Sequence, residues 1–226
     1  MDKNRIRLYG NQSSVNIVIQ TVDDHDISEM ENEAAEVRRI AGGDDFMIAA
    51  LPVDDWNMDL SPWEAPPVFG KEGFGSGASD TLSFITDTVI PFLGSEHSDP
   101  ASRKFYIAGY SLAGLFALWA VCQTDIFSGA AAASPSVWFP GWIEYSEKNM
   151  IKTHSVYMSL GDREEKTKNQ IMAKVGDCIR REEEIFKEKG INTVLEWNKG
   201  NHFKDSGLRT AAGIAWLLNN EGKRDV

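Results

Sequence analysis

The chain has 226 residues, of which 42% are hydrophobic and 25% charged, and its formal net charge is −11 at pH 7. These values are typical of a globular protein that buries one large core, so we expect a single domain over residues 1–226. The negative charge argues against a nucleic-acid partner and against binding to anionic membranes. The segment after Met1 has no apolar stretch of the kind found in secretion signals, which favours a cytoplasmic protein.

Strands and helices are predicted to alternate along most of the chain. Runs of β-branched and apolar residues predict strands at 15–22, 46–53, 104–108, 127–133, 156–160 and 193–197. Helical periodicity predicts helices at 28–40, 80–93, 112–123, 169–189 and 205–219, the first with Ser28 as its N-cap. Residues 54–77, rich in proline and glycine, are predicted to form a long loop.

This alternation predicts a fold of the α/β class, with a mostly parallel central sheet and helices on both faces. Ligands of such sheets bind beyond the carboxyl ends of the strands. We therefore expect the functional residues in the loops that follow strands.

The loop after the strand at 104–108 carries a candidate nucleophile. The segment Gly109-Tyr110-Ser111-Leu112-Ala113-Gly114 leads from that strand directly into a predicted helix. A serine on a sharp turn there exposes its Oγ, and the next N–H, that of Leu112, can bind an oxyanion. The string departs from the pattern G-x-S-x-G at Ala113 and is common by chance, so its position between strand and helix is what favours Ser111.

A serine nucleophile needs a histidine base, which in this type of fold follows a strand later in the chain. His202 follows the last predicted strand and precedes the last helix. His154 precedes a strand and would lie at the opposite edge of the sheet, while His25 lies far earlier than Ser111. His202 is therefore the predicted base.

The acid that orients the base is expected after the strand at 156–160. Three carboxylates, Asp162, Glu164 and Glu165, stand in that loop. Either residue type can fix the imidazole tautomer and stabilise the imidazolium. The residues by themselves therefore leave the acid open.

Tryptophans in the loops around Ser111 are candidates for the wall of a substrate pocket: Trp56, Trp63, Trp138 and Trp142. Such a wall suits an apolar or aromatic acyl group, although tryptophan equally often anchors a loop in the core. The run Asp-Asp-His-Asp at 23–26 is a weak metal candidate, because consecutive residues of an extended chain point to opposite sides. No metal and no cofactor are expected.

Three segments together resemble the putative-esterase family of α/β-hydrolases, which includes esterase D-like, feruloyl-esterase and enterochelin-esterase-like enzymes. They are residues 109–117, the loop Ser134-Pro135-Ser136-Val137-Trp138, and Gly200-Asn201-His202-Phe203. The Ser-Pro-Ser-x-Trp loop is the most diagnostic, because α/β-hydrolases at large do not share it. The resemblance covers about residues 15–218 and implies an α/β-hydrolase fold without a large cap domain.

The resemblance also implies roles for individual residues. In such families the acid commonly lies three residues after the glycine that closes the strand, which implies Glu164, with Asp162 as the alternative. The oxyanion hole is implied to use the N–H of Leu112 and that of Val22 or Asp23. The His-Gly often found at the second position is absent from this sequence.

The sequence thus predicts a serine hydrolase of small-molecule carboxylic esters, acting on a small or aromatic substrate through an acyl-enzyme. One alternative is a catalytically silent α/β-hydrolase fold that serves as a binding module. Another is an acyltransferase or thioesterase with the same triad. The negative charge disfavours an anionic siderophore or a polyphosphorylated substrate.

Overall fold

A seven-stranded sheet organises the part of the chain that the computed structural model describes, residues 2–68, 70–95 and 102–220. Its strands, in chain order, are β1 (Arg7–Gly10), β2 (Asn16–Val22), β3 (Met47–Pro52), β4 (Lys104–Tyr110), β5 (Phe127–Ala133), β6 (Ser155–Gly161) and β7 (Asn192–Asn198). The spatial order is β1-β3-β2-β4-β5-β6-β7, and all neighbouring pairs are parallel except β1 with β3.

Helices cover both faces of this sheet. They are α1 (Asp24–Ala41), α2 (Trp56–Asp59), α3 (Ala78–Phe84), α4 (Ile90–Ser95), α5 (Leu112–Gln123), α6 (Trp142–Lys148), α7 (Val175–Glu188) and α8 (Ser206–Asn219). A π-helical stretch, Ile85–Val89, joins α3 to α4. Among the described residues, none of the helices combines the length and the apolar character needed to span a bilayer.

Alternate residues of the central strands feed two apolar cores. On β2, Ile17 and Ile19 pack with α5 on one face, whereas Val18 and Val22 pack with α1 and α8 on the other. Every residue of α5 from Leu112 to Cys122 is buried, which explains why this helix shows no polar face in the sequence. The predicted α/β-hydrolase architecture is confirmed, with helices on both faces of a mostly parallel sheet.

Some local predictions were wrong. The first helix starts at Asp24, four residues before the predicted start at Ser28, because Asp23 and Asp26 form the capping box. The short antiparallel strand β1 and the helix α6 were not predicted, since four and seven residues give little periodicity to detect. The long predicted loop at 54–77 contains the one-turn helix α2 and an isolated bridge between Ala65 and Phe74.

Candidate active site

Ser111 occupies a strained turn between β4 and α5. Its backbone has φ 57° and ψ −119°, a left-handed region that L-residues rarely adopt, and its N–H donates to the carbonyl of Ala133 at 3.0 Å. A Cβ at position 109 would lie 2.4 Å from the backbone of Ala113, so only glycine fits there. The tight turn lifts Ser111 above the carboxyl end of the sheet, at the start of α5.

The glycine at position 114 also has a specific neighbour. A Cβ there would lie 3.1 Å from the carbonyl oxygen of Gly109 and 3.2 Å from Pro135. The Ser-Pro-Ser loop therefore packs directly against the first turn of α5. Ala113, which stands at the last position of G-x-S-x-G, is fully buried.

Two hydrogen bonds join the predicted nucleophile, base and acid. His202 Nε2 lies 3.0 Å from Ser111 Oγ, and His202 Nδ1 lies 2.7 Å from Glu164 Oε2. An ionised carboxylate only accepts, so Nδ1 carries the proton and Nε2 is left to accept from the serine hydroxyl. This is the tautomer in which the histidine can act as a base towards Ser111.

Glu164 is held as an anion although its side chain is only 4% exposed. Burial raises the pKa of this carboxyl, but hydrogen bonds from His202, Ser134 and the N–H of Gly161 outweigh it, so the pKa lies below its ordinary value. Oε1 accepts from Ser134 Oγ and from Gly161 N, both at 2.7 Å. Oε2 is thereby left to His202.

The other two candidate acids lie elsewhere. Asp162 is exposed and accepts from the N–H of Gly200 at 2.8 Å, a bond that lowers its pKa and ties down the loop before His202. Glu165 pairs with Arg180 on α7. The structure thus brings Glu164, and neither of these two, into contact with His202.

Of the three residues predicted for the oxyanion hole, Leu112 lines the cavity beside Ser111, and Val22 and Asp23 do not. Leu112 lies beside Ser111 at the start of α5, where backbone N–H groups have no partner inside the helix. The N–H of Asp23 instead donates to Asp26 Oδ2 at 3.3 Å, because Asp23 caps α1. Val22 is fully buried in the sheet, and neither Val22 nor Asp23 lines the cavity next to Ser111.

A cavity of about 390 Å³ opens above the serine and is mainly apolar. Among the described residues, those that line it are Trp56, Asn57, Phe74, Ser111, Leu112, Ser136, Trp138, Met172, His202 and Phe203. None of them is a lysine, arginine, aspartate or glutamate. The predicted wall residues Trp56 and Trp138 are both present, and Phe74, Met172 and Phe203 were missed.

The other two predicted wall residues are not in the cavity. Trp142 is fully buried in the core at the start of α6, a helix that the sequence pattern did not reveal. Trp63 donates from Nε1 to the carbonyl of Pro140 at 2.9 Å and packs against Phe139 and Tyr145. Trp63 anchors a loop and Trp142 fills the core, so their assignment to the pocket was wrong.

A buried arginine that the sequence did not single out also touches this site. Arg209 of α8 donates from Nη1 to Glu164 Oε1 at 2.9 Å. A hydrophobic helix with one arginine offers no signal that this residue points inward. Within residues 2–68, 70–95 and 102–220, no group of three or more His, Cys, Asp or Glu side chains could hold a metal ion.

Most of this chain matches a known protein family. The model of the family described as "Putative esterase" matches residues 18–202. The uncharacterized protein YbbA of Bacillus subtilis (strain 168) is 27% identical over 171 residues, which cover 70% of this chain and 68% of YbbA.

Solved structures share the fold at low sequence identity. An IroE-like serine hydrolase from Shewanella oneidensis has a TM-score of 0.76 and 18% identity, covering 95% of this chain and 75% of its own. The siderophore hydrolase EstA from Aspergillus nidulans has a TM-score of 0.70 and 21% identity, with 96% and 90% covered. At these identities the likeness is one of fold.

Proposed function

The chain belongs to the putative-esterase family and is a carboxylic ester hydrolase of the α/β-hydrolase fold; we propose that it works through Ser111, His202 and Glu164 by way of an acyl-enzyme. The observation that carries this proposal is the unbroken pair of hydrogen bonds, 3.0 Å from serine to histidine and 2.7 Å from histidine to glutamate. The strained turn at Ser111 supports it.

The geometry supports a two-stage reaction. His202 Nε2 takes the proton of Ser111 as Oγ attacks the ester carbonyl, and the imidazolium then gives that proton to the departing alcohol. We assign stabilisation of the oxyanion to the N–H of Leu112, a residue that lines the cavity beside the serine. A water molecule, deprotonated by the same histidine, attacks the acyl-enzyme and releases the acid and free Ser111.

Glu164 contributes through charge and orientation. Its carboxylate faces Nδ1 at 2.7 Å, so the positive imidazolium of each step forms next to a buried negative charge. Replacing a triad acid by its amide favours the wrong histidine tautomer and lowers kcat by about 10⁴-fold in the best-studied serine enzyme. We expect an effect of that order for Glu164→Gln.

The cavity indicates the kind of ester. Its aromatic wall and the absence of charged side chains among its described lining residues suit an uncharged apolar or aromatic acyl group. Some structural neighbours are named siderophore hydrolases. For this chain, the net charge of −11 and the uncharged lining favour a neutral ester over an anionic one.

Fluorophosphonate labelling followed by mass mapping tests the nucleophile and the base. We expect the wild-type protein to be labelled at Ser111, with labelling abolished in Ser111→Ala and greatly slowed in His202→Ala. Ser128→Ala and His154→Ala are matched controls, because both residues are exposed and lie outside the site. Absence of labelling in folded wild-type protein would contradict the proposal and favour a silent binding module.

A panel of nitrophenyl esters tests the substrate class. We expect neutral aromatic and medium-length acyl groups to give the highest kcat/KM, and acyl groups that carry a carboxylate to give the lowest. Preference for the charged esters would contradict our interpretation of the cavity. If added alcohols or thiols outcompete water for the acyl group, the enzyme is an acyltransferase instead.

A further inference from the structure

We propose that Arg209 is a positioning residue for the triad, which fixes Glu164 and the loop of His202 through a single buried guanidinium. The proposal rests on the function proposed above for Ser111, His202 and Glu164. Arg209 itself is not in the lining of the substrate cavity. Its effect on the reaction must therefore pass through the residues that it holds.

The guanidinium of Arg209 reaches all three segments that carry the triad. Nη1 lies 2.9 Å from Glu164 Oε1 and 3.2 Å from the hydroxyl of Tyr110, the neighbour of Ser111. Nη2 donates to the carbonyl of Asn201, the neighbour of His202, at 3.0 Å. Arg209 is only 2% exposed, so these bonds form out of contact with water.

Arg209 and Tyr110 together also hold the backbone of the loop that carries His202. The hydroxyl of Tyr110 accepts from Arg209 and donates to the carbonyl of His202 at 2.6 Å. Together with the bond from Arg209 to Asn201, this fixes two successive carbonyl groups of the loop. The imidazole therefore projects from a backbone that is held at the residue before it and at the residue itself.

The charge of Glu164 explains why a cation is needed here, and the three hydrogen-bonded segments explain why that cation is an arginine. A carboxylate with a side chain exposure of 4% is costly unless an opposite charge and hydrogen bonds compensate it. Arg209 supplies that charge on Oε1, where Ser134 and Gly161 also donate, and so leaves Oε2 to His202. The two oxygens of Glu164 thus have separate tasks, one structural and one towards the base.

Gly161, at the end of β6, leaves the space that the Glu164 carboxylate and the Arg209 guanidinium occupy. A Cβ there would lie 2.5 Å from the carbonyl oxygen of Gly200, 2.9 Å from Glu164 Oε1 and 3.0 Å from Arg209 Nη1. Any side chain at 161 would push the carboxylate, the guanidinium and the histidine loop apart. Steric crowding therefore explains why a glycine stands three residues before Glu164 in this chain.

Steady-state kinetics of Arg209→Lys and Arg209→Met tests the proposal. Lysine keeps the charge but cannot bond Glu164, Tyr110 and Asn201 at once, since it lacks the planar fork. We expect kcat to fall by about 100-fold in Arg209→Lys and further in Arg209→Met, the scale of a small misplacement of catalytic groups. KM should stay within about twofold, because the cavity wall is unchanged.

A double-mutant cycle with Glu164→Gln separates positioning from a general loss of structure. If Arg209 acts mainly through Glu164, adding Arg209→Met to the Glu164→Gln variant should lower kcat by less than about tenfold. The proton NMR signal of His202 Nδ1–H should also shift or broaden in Arg209→Lys. Arg181→Lys is the matched control, since Arg181 pairs with Glu147 on the exposed side of α7.

Three results would overturn the proposal. They are an unchanged kcat in folded Arg209→Lys, a loss of kcat that follows only the folded fraction seen by circular dichroism, and an equal loss of kcat with glutamate or glutamine at position 164 that is accompanied by an unchanged NMR signal of His202. If Arg209→Met does not fold, Arg209→Lys and its NMR signal decide the question. Wild-type protein that is not labelled at Ser111 would instead refute the proposed function itself.

Discussion

Replacing the buried carboxyl of Glu33 should change how the stability of this protein depends on pH. Glu33 lies on α1, is 6% exposed and meets Gln20 of β2, while its Oε1 has no hydrogen-bond partner. Burial, with a smaller contribution from the charge of Asp26, raises the pKa of Glu33 from 4.5 to about 8; the neighbouring amide of Gln20 only partly offsets this.

The size of the effect follows from the two pKa values. Below pH 4.5 the group is protonated in the folded and unfolded chains alike, and it has no effect on stability. Between pH 4.5 and about 8 the folded chain keeps the proton that the unfolded chain loses, so stability falls as the pH rises. The free energy of unfolding falls by about 1.4 kcal/mol for each pH unit, so at pH 7 it is about 3 kcal/mol lower than it would be without this ionisation.

Glu33→Gln removes this cost, because the amide does not ionise in the unfolded chain. Urea unfolding of wild type and variant at pH 5, 6, 7 and 8 measures it. The free energy of unfolding of the variant, relative to wild type, should rise by about 2.5 kcal/mol between pH 5 and pH 7. Glu31→Gln, at an exposed position of the same helix, is the control. Parallel curves for wild type and Glu33→Gln would refute the reasoning.

Further substitutions test the turn, the acid loop and the cavity. Gly161→Ala should lower kcat by about 100-fold, because its Cβ meets the carbonyl of Gly200, whereas Gly43→Ala, with no atom within 4 Å, should not; equal activities would contradict this. Ala113→Gly should restore G-x-S-x-G without raising kcat. It should lower the free energy of unfolding by about 1–2 kcal/mol, because glycine is a poor helix former and a buried methyl group is lost. A gain in kcat would show that the alanine impairs the turn. Trp138→Ala should raise KM for aromatic acyl esters by about tenfold, with little effect on acetate esters. Trp142→Phe should lower the unfolding temperature and leave KM unchanged; a change in KM would place Trp142 in the cavity after all.

The strands and the three residues that meet at the site were accessible from the sequence for a physical reason. In a parallel sheet, residues after successive strands arrive at one edge, so chain order predicts that Ser111, His202 and a carboxylate after the strand at 156–160 come together. The choice of Glu164 over Asp162 came only from a family resemblance, because both are carboxylates in one loop.

What the sequence could not predict depends on contacts between distant segments. Arg209 stands 45 residues after Glu164, and only packing of α8 against the sheet brings them to 2.9 Å. Trp63 and Trp142 stand in loop-like sequence, yet one is tied to the carbonyl of Pro140 and the other is inside the core. The N–H of Asp23 is used in the capping box of α1, which the local sequence pattern placed five residues too late, at Ser28.

The clamped loop of His202 has a consequence for how the enzyme adapts to its substrates. The side chains of Tyr110 and Arg209 donate to carbonyl groups of this loop, and Asp162 accepts from its Gly200 N–H, so that side of the cavity is held in place. Another part of the wall, with Trp56 and Phe74, belongs to the segment 54–77, whose described residues form one helical turn and one isolated bridge. We therefore expect substrates to enter and leave by movement on that side, and differences in the length of this segment to change the preferred ester while the chemistry stays intact.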